Sequence, residues 1–427
     1  MMDITLFNII RAIVSFFVLM TLAKNYFFLI LAPFYPVREK LRYIRQMRIR
    51  KANNEPPYEP MVSVVVPAWN EEVGIIKTIN SIVLNGYQNT ELIIINDGST
   101  DDSDKIIKAH LKKIQAAKKR PIKRICYIYK KNGGKGKALN AGVRQARGEI
   151  LLTMDADSAL QKGALRKLVK YYMDDEIMAV VGNVEVTDAT TIVGLAQQME
   201  YYFGFYNKRA HALLGAEYIF GGACASFRMK VFKQIGVFDD KNKTEDIEMS
   251  MRTKAYGLKS TYAEDVVCYT EGASDIYGLI AQRIRWKKGR LDTFAKYRRL
   301  FFSTDDKHNV FLSFFVLPFS LLAEAQLIFE PIAIAIVIAY SIVTSEYLSL
   351  AIGLLFILLV FVAVSLFHDN KPKPSLILAF PFVWPLFYLL DWVEFLSLYK
   401  SMQMIKRGKD VEWQQWNRKG ISGAGRT

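Results

Sequence analysis

The 427-residue chain has only three cysteines and four histidines. Cys126, Cys224 and Cys268 lie far apart, which excludes a disulfide framework and a short-spaced zinc site. The pattern suits a reducing compartment for any soluble part. The histidines are equally scattered, with no helical metal-ligand pair. Internal repeats, low-complexity tracts and a recognisable second-messenger domain are lacking. There is no G-x-x-x-x-G-K-[ST] loop, which disfavours ATP hydrolysis of that type. The formal charge is +16, yet no nucleic-acid recognition motif accompanies it, so the partners expected from charge do not include nucleic acid.

Apolar residues are abundant, with 51% hydrophobic and 13% aromatic. The run Ile4–Pro33 is long enough for one membrane span, interrupted by Lys24 and Asn25. Its end lacks a small-residue cleavage site, which favours a retained anchor over a cleaved signal. Further apolar stretches occupy Val310–Val343, Leu348–Phe367 and Leu376–Leu398. The first carries Pro318, Glu324, Glu330 and Pro331, and suits an interfacial segment followed by a span, or a kinked or re-entrant pair. Basic clusters flank these runs: "REKLRYIRQMRIRK" (Arg38–Lys51), "RWKKGR" and "KRGK" (Lys406–Lys409). Such flanks point to a lipid bilayer as a partner and to the cytoplasmic side. Three simple spans after the central region would put Lys406 outside, so the number of crossings stays open. "HDNKPKP" (His368–Pro374) reads as a loop and "GISGAGRT" as a loose tail.

Between Met61 and about Tyr269 the pattern changes. The β-rich runs are "VSVVVP", "ELIIIND", "ICYIY", "EILLTMD" and "MAVVGNVEV", the early ones separated by amphipathic stretches such as Glu72–Asn85 and Asp102–Lys118. Apolar strands alternating with helices predict an α/β domain with a mostly parallel sheet covered on both faces. Ligands of such sheets bind beyond the carboxyl ends of the strands, where Asp97 and Asp155 stand.

Several short pieces suit chemistry. In "MDADS", Asp155 and Asp157 could hold a hard divalent cation through oxygen, or form a turn with Asp157 or Ser158 capping a helix. In "NDGSTDDS", Asp97 could accept hydrogen bonds from a base or sugar, while Asp101 or Asp102 caps the next helix. "NGGKGKALNAG" offers Lys135 and Lys137 at a glycine-rich helix entry suited to an anion, or is a flexible turn with solvated lysines. "KTEDIEMS" places Glu245 and Asp246 at a helix start, as a general base or as dipole-favoured acids. "IAQRIRWKKGR" brings Gln282, Arg285 and Trp286 to one helical face. An arginine fork suits leaving-group phosphates and an indole face suits a sugar ring. An interfacial helix with Trp and Arg at headgroup level accounts for the same residues.

Taken in order, "VVVPAWNEE", "INDGSTDDS", "GGKGKALN", "DAD", "TED" and "QRIRW" closely resemble the processive family 2 glycosyltransferases, which include cellulose, hyaluronan and poly-β-1,6-N-acetylglucosamine synthases. The resemblance covers Met61 to about Arg290, and "QQMEYYFGFYNKRA" is most like the poly-N-acetylglucosamine branch. It implies a Rossmann-like GT-A domain joined to a transmembrane α-helical region. Asp97, Asp155, Lys137 and Arg285 would then contact a UDP-sugar donor, and Asp157 would hold Mg²⁺ or Mn²⁺. Asp246 would be the catalytic base supported by Glu245, while Trp286, Gln282 and Gly222 of "GGACASF" would meet the growing polysaccharide acceptor. The implied reaction is inverting polymerisation at the plasma membrane. The alternative is a non-processive transferase adding one sugar to a lipid carrier. The resemblance leaves room for a small membrane or export partner subunit. The expected division is an anchor at 1–36, a basic linker at 37–60, the GT-A domain at 61–275, interfacial helices at 276–308, transmembrane helices at 309–400 and a basic tail at 401–427.

Overall fold

The computed structural model describes residues 16, 19–20, 22–116, 121–187, 191–345, 347–367, 377 and 380–411. Residues 1–15 of the expected anchor, the loop His368–Pro374 and the tail beyond 411 lie outside the described residues. In chain order the elements are α1 (Phe34–Ala52), β1 (Val62–Ala68), α2 (Ile75–Val83), β2 (Thr90–Asn96), α3 (Ser103–Gln115), β3 (Arg124–Tyr129), α4 (Lys135–Gln145), β4 (Ile150–Thr153), β5 (Ser158–Leu160), α5 (Ala164–Tyr171) and β6 (Ile177–Val186). There follow α6 (Ile192–Leu213), β7 (Ala225–Arg228), α7 (Met229–Ile235), α8 (Glu245–Ala255), β8 (Lys259–Thr270), α9 (Ile276–Lys296), α10 (Leu317–Gln326), α11 (Glu330–Thr344), α12 (Leu348–Phe367) and α13 (Val383–Lys406).

The eight strands form one sheet in the order β3-β2-β1-β4-β7-β6-β8-β5. Alternate residues of β1 enter different layers, as the two-residue period of a strand requires. Val62, Val64 and Val66 pack with Ile75, Ile79 and Ile82 of α2 and Leu165 and Leu168 of α5. Val65 turns the other way, toward Ala138, Leu139 and Val143 of α4. Helices on both faces explain why these strands read as continuous apolar runs. Truncating one such buried Ile to Ala would cost about 2–5 kcal/mol. The acid inside β2, Glu91, is buried at the strand's first end, where Ser63 Oγ at 2.5 Å, Arg124 Nη1 at 2.8 Å and the Arg147 amide at 2.5 Å satisfy it.

The expectation of a mostly parallel sheet holds for half of it. β1–β2, β2–β3, β1–β4 and β6–β8 are parallel, whereas β7 runs antiparallel to β4 and β6, and β5 antiparallel to β8. The sheet is therefore mixed. The four-residue β7 and three-residue β5 are too short to show their direction in local sequence. Because β1, β2 and β4 are parallel, their last residues share one edge, where Asp97 directly follows β2 and Asp155 stands two residues past β4.

The C-terminal apolar run is broken, as its prolines and acids suggest. A π-helical turn at Leu312–Val316 leads into α10, and α10 and α11 meet at a 52° bend. Pro331 stands in the first turn of α11, where its missing N–H is tolerated. Transmembrane helices are expected at 309–400, yet no single helix among the described residues is long and apolar enough to cross a membrane. The bent pair meets the test jointly.

Candidate active site

The site lies at the sheet edge where β1, β2 and β4 end. After β4 the chain makes a turn closed by the Ser158 amide donating to the Asp155 carbonyl at 3.1 Å. Buried Thr78 of α2 pins this turn by donating to the Ala156 carbonyl at 2.7 Å. Asp155 and Asp157 therefore stand half-exposed on either side of a fixed, buried Ala156. The alternative of a helix capped by Asp157 or Ser158 does not apply, since Ser158 begins β5. Ser158 Oγ instead bonds Asp157 Oδ1 at 3.2 Å.

The glycine-rich segment is fixed by Asp97. The buried Asp97 carboxylate accepts from the Gly133 amide at 3.1 Å and the Gly134 amide at 2.7 Å, and pairs with Lys130. Gly134 has φ +92°, which glycine adopts without a Cβ clash, and the next residue opens α4. Asp97 thus shapes this loop, whatever else it contacts.

Which lysine reaches the acids follows from helical phase. Lys135, Ala138, Leu139 and Gly142 are spaced i, i+3, i+4 and i+7, on the side of α4 that faces the sheet. Lys137 falls off that side, is exposed and packs its stem against Gly133. Lys135 Nζ lies 2.7 Å from Asp155 Oδ1 and 3.3 Å from Glu245 Oε1. Burial disfavours the Lys135 charge, but Asp155, Glu245 and Asp246 outweigh it and hold the ammonium well above its ordinary range. Lys135, rather than Lys137, is the lysine that reaches these acids. The signal was present in the apolar phase of "KGKALNAGV".

Glu245 and Asp246 occupy the first turn of α8, where the helix dipole favours negative charge. Glu245 is buried, and burial pushes its carboxyl up, against the pull of Lys135. Its Oε1 is sealed from water and has no hydrogen-bond donor, only the ammonium at 3.3 Å. Asp246 is half-buried, and its Oδ1 accepts only from the neighbouring Ile247 amide at 2.9 Å among the described contacts. Ser250 ties α8 to the segment that leads into Gly221 and Gly222. Its hydroxyl donates to the Asp246 carbonyl at 2.5 Å and accepts from the Phe220 amide at 2.9 Å. A Cβ on Gly222 would sit 2.9 Å from Lys135 Nζ and 3.3 Å from Asp246 Oδ2, so Gly222 leaves room beside both.

α9 brings the last group. Asp275 caps it, accepting from the Gly278 amide at 2.8 Å. Gly289 lets the helix approach the segment before α8, since a Cβ there would meet Thr244 Oγ1 at 2.0 Å. Gln282, Arg285 and Trp286 are all half-buried. Burial pulls the Arg285 guanidinium below its usual value, while Glu245, Asp246, Asp155 and Asp157 push it up, so all four carboxylates lie within electrostatic reach. Arg285 also lines a cleft of 240 Å³ with Asp239, Lys241, Lys288 and Asp410. Lys287 and Arg283 of the same helix are buried, so not all the cations of α9 are free to form a basic flank. Lys135, Asp155, Glu245, Asp246 and Gly222 are thus brought together, with Asp157 and Arg285 within electrostatic reach, while Asp97 contacts the glycine-rich loop and Lys137 points away from the acids.

The donor set fits a divalent cation. Asp155 and Asp157 are hard oxygen ligands at the mouth of the site, and Mg²⁺ is commonly held by one or two carboxylates plus substrate phosphates. No cluster of three or more potential ligands is present among the described residues, so a cation here would need oxygens from a ligand.

A family model described as glycosyl transferase family 2 matches residues 63–236, and one described as glycosyl transferase family group 2 matches residues 150–366. The chain is 26% identical over 376 residues to a poly-β-1,6-N-acetyl-D-glucosamine synthase of Staphylococcus epidermidis, covering 84% of this chain and 88% of that relative. The protein of the same name from Staphylococcus aureus (strain COL) is 29% identical over 246 residues, 57% of each chain. In fold, the chain is similar to a mannosyltransferase, PcManGT, of Pyrobaculum calidifontis solved with GDP-Man and Mn²⁺. The TM-score is 0.54 at 22% identity, covering 88% of this chain and 98% of that one.

Proposed function

We propose, on the premise that this chain belongs to the family 2 glycosyl transferases, that it polymerises a UDP-sugar, best matched by UDP-N-acetylglucosamine, into a β-linked polysaccharide at a membrane. The two staphylococcal relatives, both named poly-β-1,6-N-acetyl-D-glucosamine synthases, support the sugar and the polymer. The single observation that carries the reaction is the convergence of Lys135, Asp155, Glu245 and Asp246 beside Gly222 at the carboxyl edge of the sheet.

The mechanism follows from these charges. Asp246, with a half-exposed carboxylate next to the space at Gly222, takes the proton of the acceptor hydroxyl as that oxygen attacks the anomeric carbon. The bond to the nucleoside diphosphate breaks on the opposite face, which inverts the centre. Arg285 and Lys135 stabilise the negative charge that grows on the departing phosphate. Glu245 holds Lys135 in place from within the protein. Mg²⁺ or Mn²⁺, held by Asp157 and Asp155, supplies Lewis-acid neutralisation of the diphosphate when bound. Trp286 offers an aromatic face to the acceptor sugar, and Gln282 a hydroxyl partner.

Exposed apolar surface supports the membrane. Ile352, Leu355, Leu359, Val362 and Leu366 of α12 are each 46–74% exposed, along one continuous helix. A soluble surface rarely tolerates such a stripe, whereas lipid chains would cover it. Together with the bent pair α10–α11 it forms the region through which the polymer would pass. The test is incubation of membranes carrying the chain with a panel of UDP-sugars and Mg²⁺ or Mn²⁺, followed by glycosidase digestion of the product. Asp246→Asn should lower transfer by about 10²–10⁴-fold with UDP-sugar binding retained. Normal turnover in that variant would remove Asp246 from the role of base.

A further inference from the structure

Cations on α9 and acids on three other helices form a partly buried chain of charge that the chemistry above does not use. Arg283 donates to both carboxylate oxygens of Glu200 on α6, from Nη1 at 2.8 Å and Nη2 at 2.5 Å. Its Nη1 also lies 3.2 Å from Glu394 of α13. Glu394 pairs with Lys287 at 2.8 Å, Lys287 with Glu324 of α10 at 2.7 Å, and Glu324 with Arg290 at 2.6 Å. The order Glu200–Arg283–Glu394–Lys287–Glu324–Arg290 alternates in sign and balances in charge. Arg283, Lys287 and Glu324 are each 5% exposed.

The cations recur at 283, 287 and 290, so they share one face of α9, while Gln282, Arg285 and Gly289 lie on another. Trp286 falls at the boundary between the two faces. The Arg283 guanidinium sits 4.5 Å from the Trp286 ring centroid, within cation–π range. A guanidinium held by two carboxylates from different helices cannot slide, and neither can a ring that rests against it. The same helices approach closely for a second reason. Ser401 Oγ of α13 donates to the Ile284 carbonyl at 3.1 Å and Ser397 Oγ to the Ile280 carbonyl at 3.4 Å.

We propose that Glu394 and Glu200 are positioning residues: through Arg283 they fix the orientation of the Trp286 ring relative to α13 and α6, and so set the acceptor end of the site. The part of this claim that concerns acceptor engagement rests on the glycosyl transfer proposed above. The ring-positioning part does not. Glu394 has the larger effect, because it holds Arg283 and Lys287 together.

The test uses the full chain in lipid nanodiscs, with Glu394→Gln, Glu200→Gln and Glu394→Asp variants. Each is compared with its own Trp286→Phe derivative, so that the difference in fluorescence isolates Trp286. Both Gln variants should shift the Trp286 emission to the red and raise its quenching by acrylamide, and Glu394→Asp should restore most of the parent signal. In the transfer assay Glu394→Gln should raise the acceptor KM or shorten the product about tenfold, equivalent to about 1.4 kcal/mol, with the donor KM unchanged. If Glu394→Gln does not accumulate, Glu394→Gln/Lys287→Met removes one charge of each sign and carries the same readouts. An unchanged Trp286 signal in folded variants would overturn the proposal. Should the parent chain transfer no sugar at all, the functional reading fails, and the Trp286 signal still decides the positioning claim.

Discussion

Replacing Lys135 with methionine removes an ammonium from between Asp155 and Glu245 while keeping most of the stem's volume. The two contacts are 2.7 and 3.3 Å, and Glu245 is only 4% exposed, against 30% for Asp155. Breaking a buried pair from one side costs about 3–5 kcal/mol, because the remaining charge is left uncompensated. Water screens part of the Asp155 share, which puts the loss near the lower bound, about 3 kcal/mol. For a domain of this size that is a fall in apparent Tm of about 6–12 °C. The loss must also depend on pH. Burial already raises the Glu245 carboxyl and Lys135 opposes that rise, so removing Lys135 lets the carboxyl climb further. The folded variant then holds a proton that the unfolded chain releases. A native state that binds more protons than the unfolded state loses stability as pH rises, by at most about 1.4 kcal/mol per pH unit. The Lys135 ammonium is raised, so its own contribution is full below its unfolded pKa of about 10.4 and adds no slope near neutrality. The deficit of the variant should therefore be small at about pH 5 and grow toward about pH 8. Thermal unfolding of the purified full chain across that range reads it directly. Adding Glu245→Gln should recover most of the lost Tm and flatten the pH dependence. Equal pH dependence in Lys135→Met and the parent, or no recovery by Glu245→Gln, would refute the reasoning.

Other substitutions separate neighbouring readings. Lys137→Met should change stability by no more than about 0.5 kcal/mol and leave transfer close to the parent rate, because the side chain is exposed; a loss of activity equal to that of Lys135→Met would reverse the assignment of the two lysines. Gly289→Ala places a Cβ 2.0 Å from Thr244 Oγ1 and should cost about 1–3 kcal/mol by overpacking. Since Thr244 immediately precedes Glu245 and Asp246 at the start of α8, the rate of transfer should fall more than donor affinity, with partial recovery on adding Thr244→Ala, as measured by kcat and donor KM.

Much of the donor half is legible in local sequence, because its strands are buried on both faces and read as unbroken Val, Ile and Leu. The turns that end β2 and β4 carry their acids in plain view. Harder to read is anything set by partners far along the chain. The sequence "ASFR" carries no sign that β7 runs antiparallel between β4 and β6. "SAL" after the Asp155 turn resembles a helix start, yet pairs with Thr270, Tyr269 and Cys268 as a strand. The burial of Lys287 and Arg283 on α9 is not visible locally, because their partners Glu324 and Glu200 stand 37 and 83 residues away. Helical phase is a local signal that distinguishes Lys135 from Lys137.

Charge balance at the site leads to a last prediction. Asp155, Asp157, Glu245 and Asp246 face Lys135 and Arg285, so carboxylates outnumber cations among these six residues. A bare nucleoside diphosphate is itself an anion, and bringing it to such a group is opposed by like charge in a partly buried setting. Paired with a divalent cation, the diphosphate arrives neutral and its oxygens complete a coordination shell that the protein supplies only in part. Donor binding, and not only turnover, should therefore depend on the metal. Equilibrium binding of a UDP-sugar to the full chain should weaken by at least about tenfold in excess chelator, a difference of about 1.4 kcal/mol. The effect should be smaller in Asp157→Asn, which removes one of the repelling charges along with the ligand. Equal affinity with and without chelator would mean that Arg285 and Lys135 alone offset the four acids, and the two-carboxylate grip on the donor would have to be abandoned.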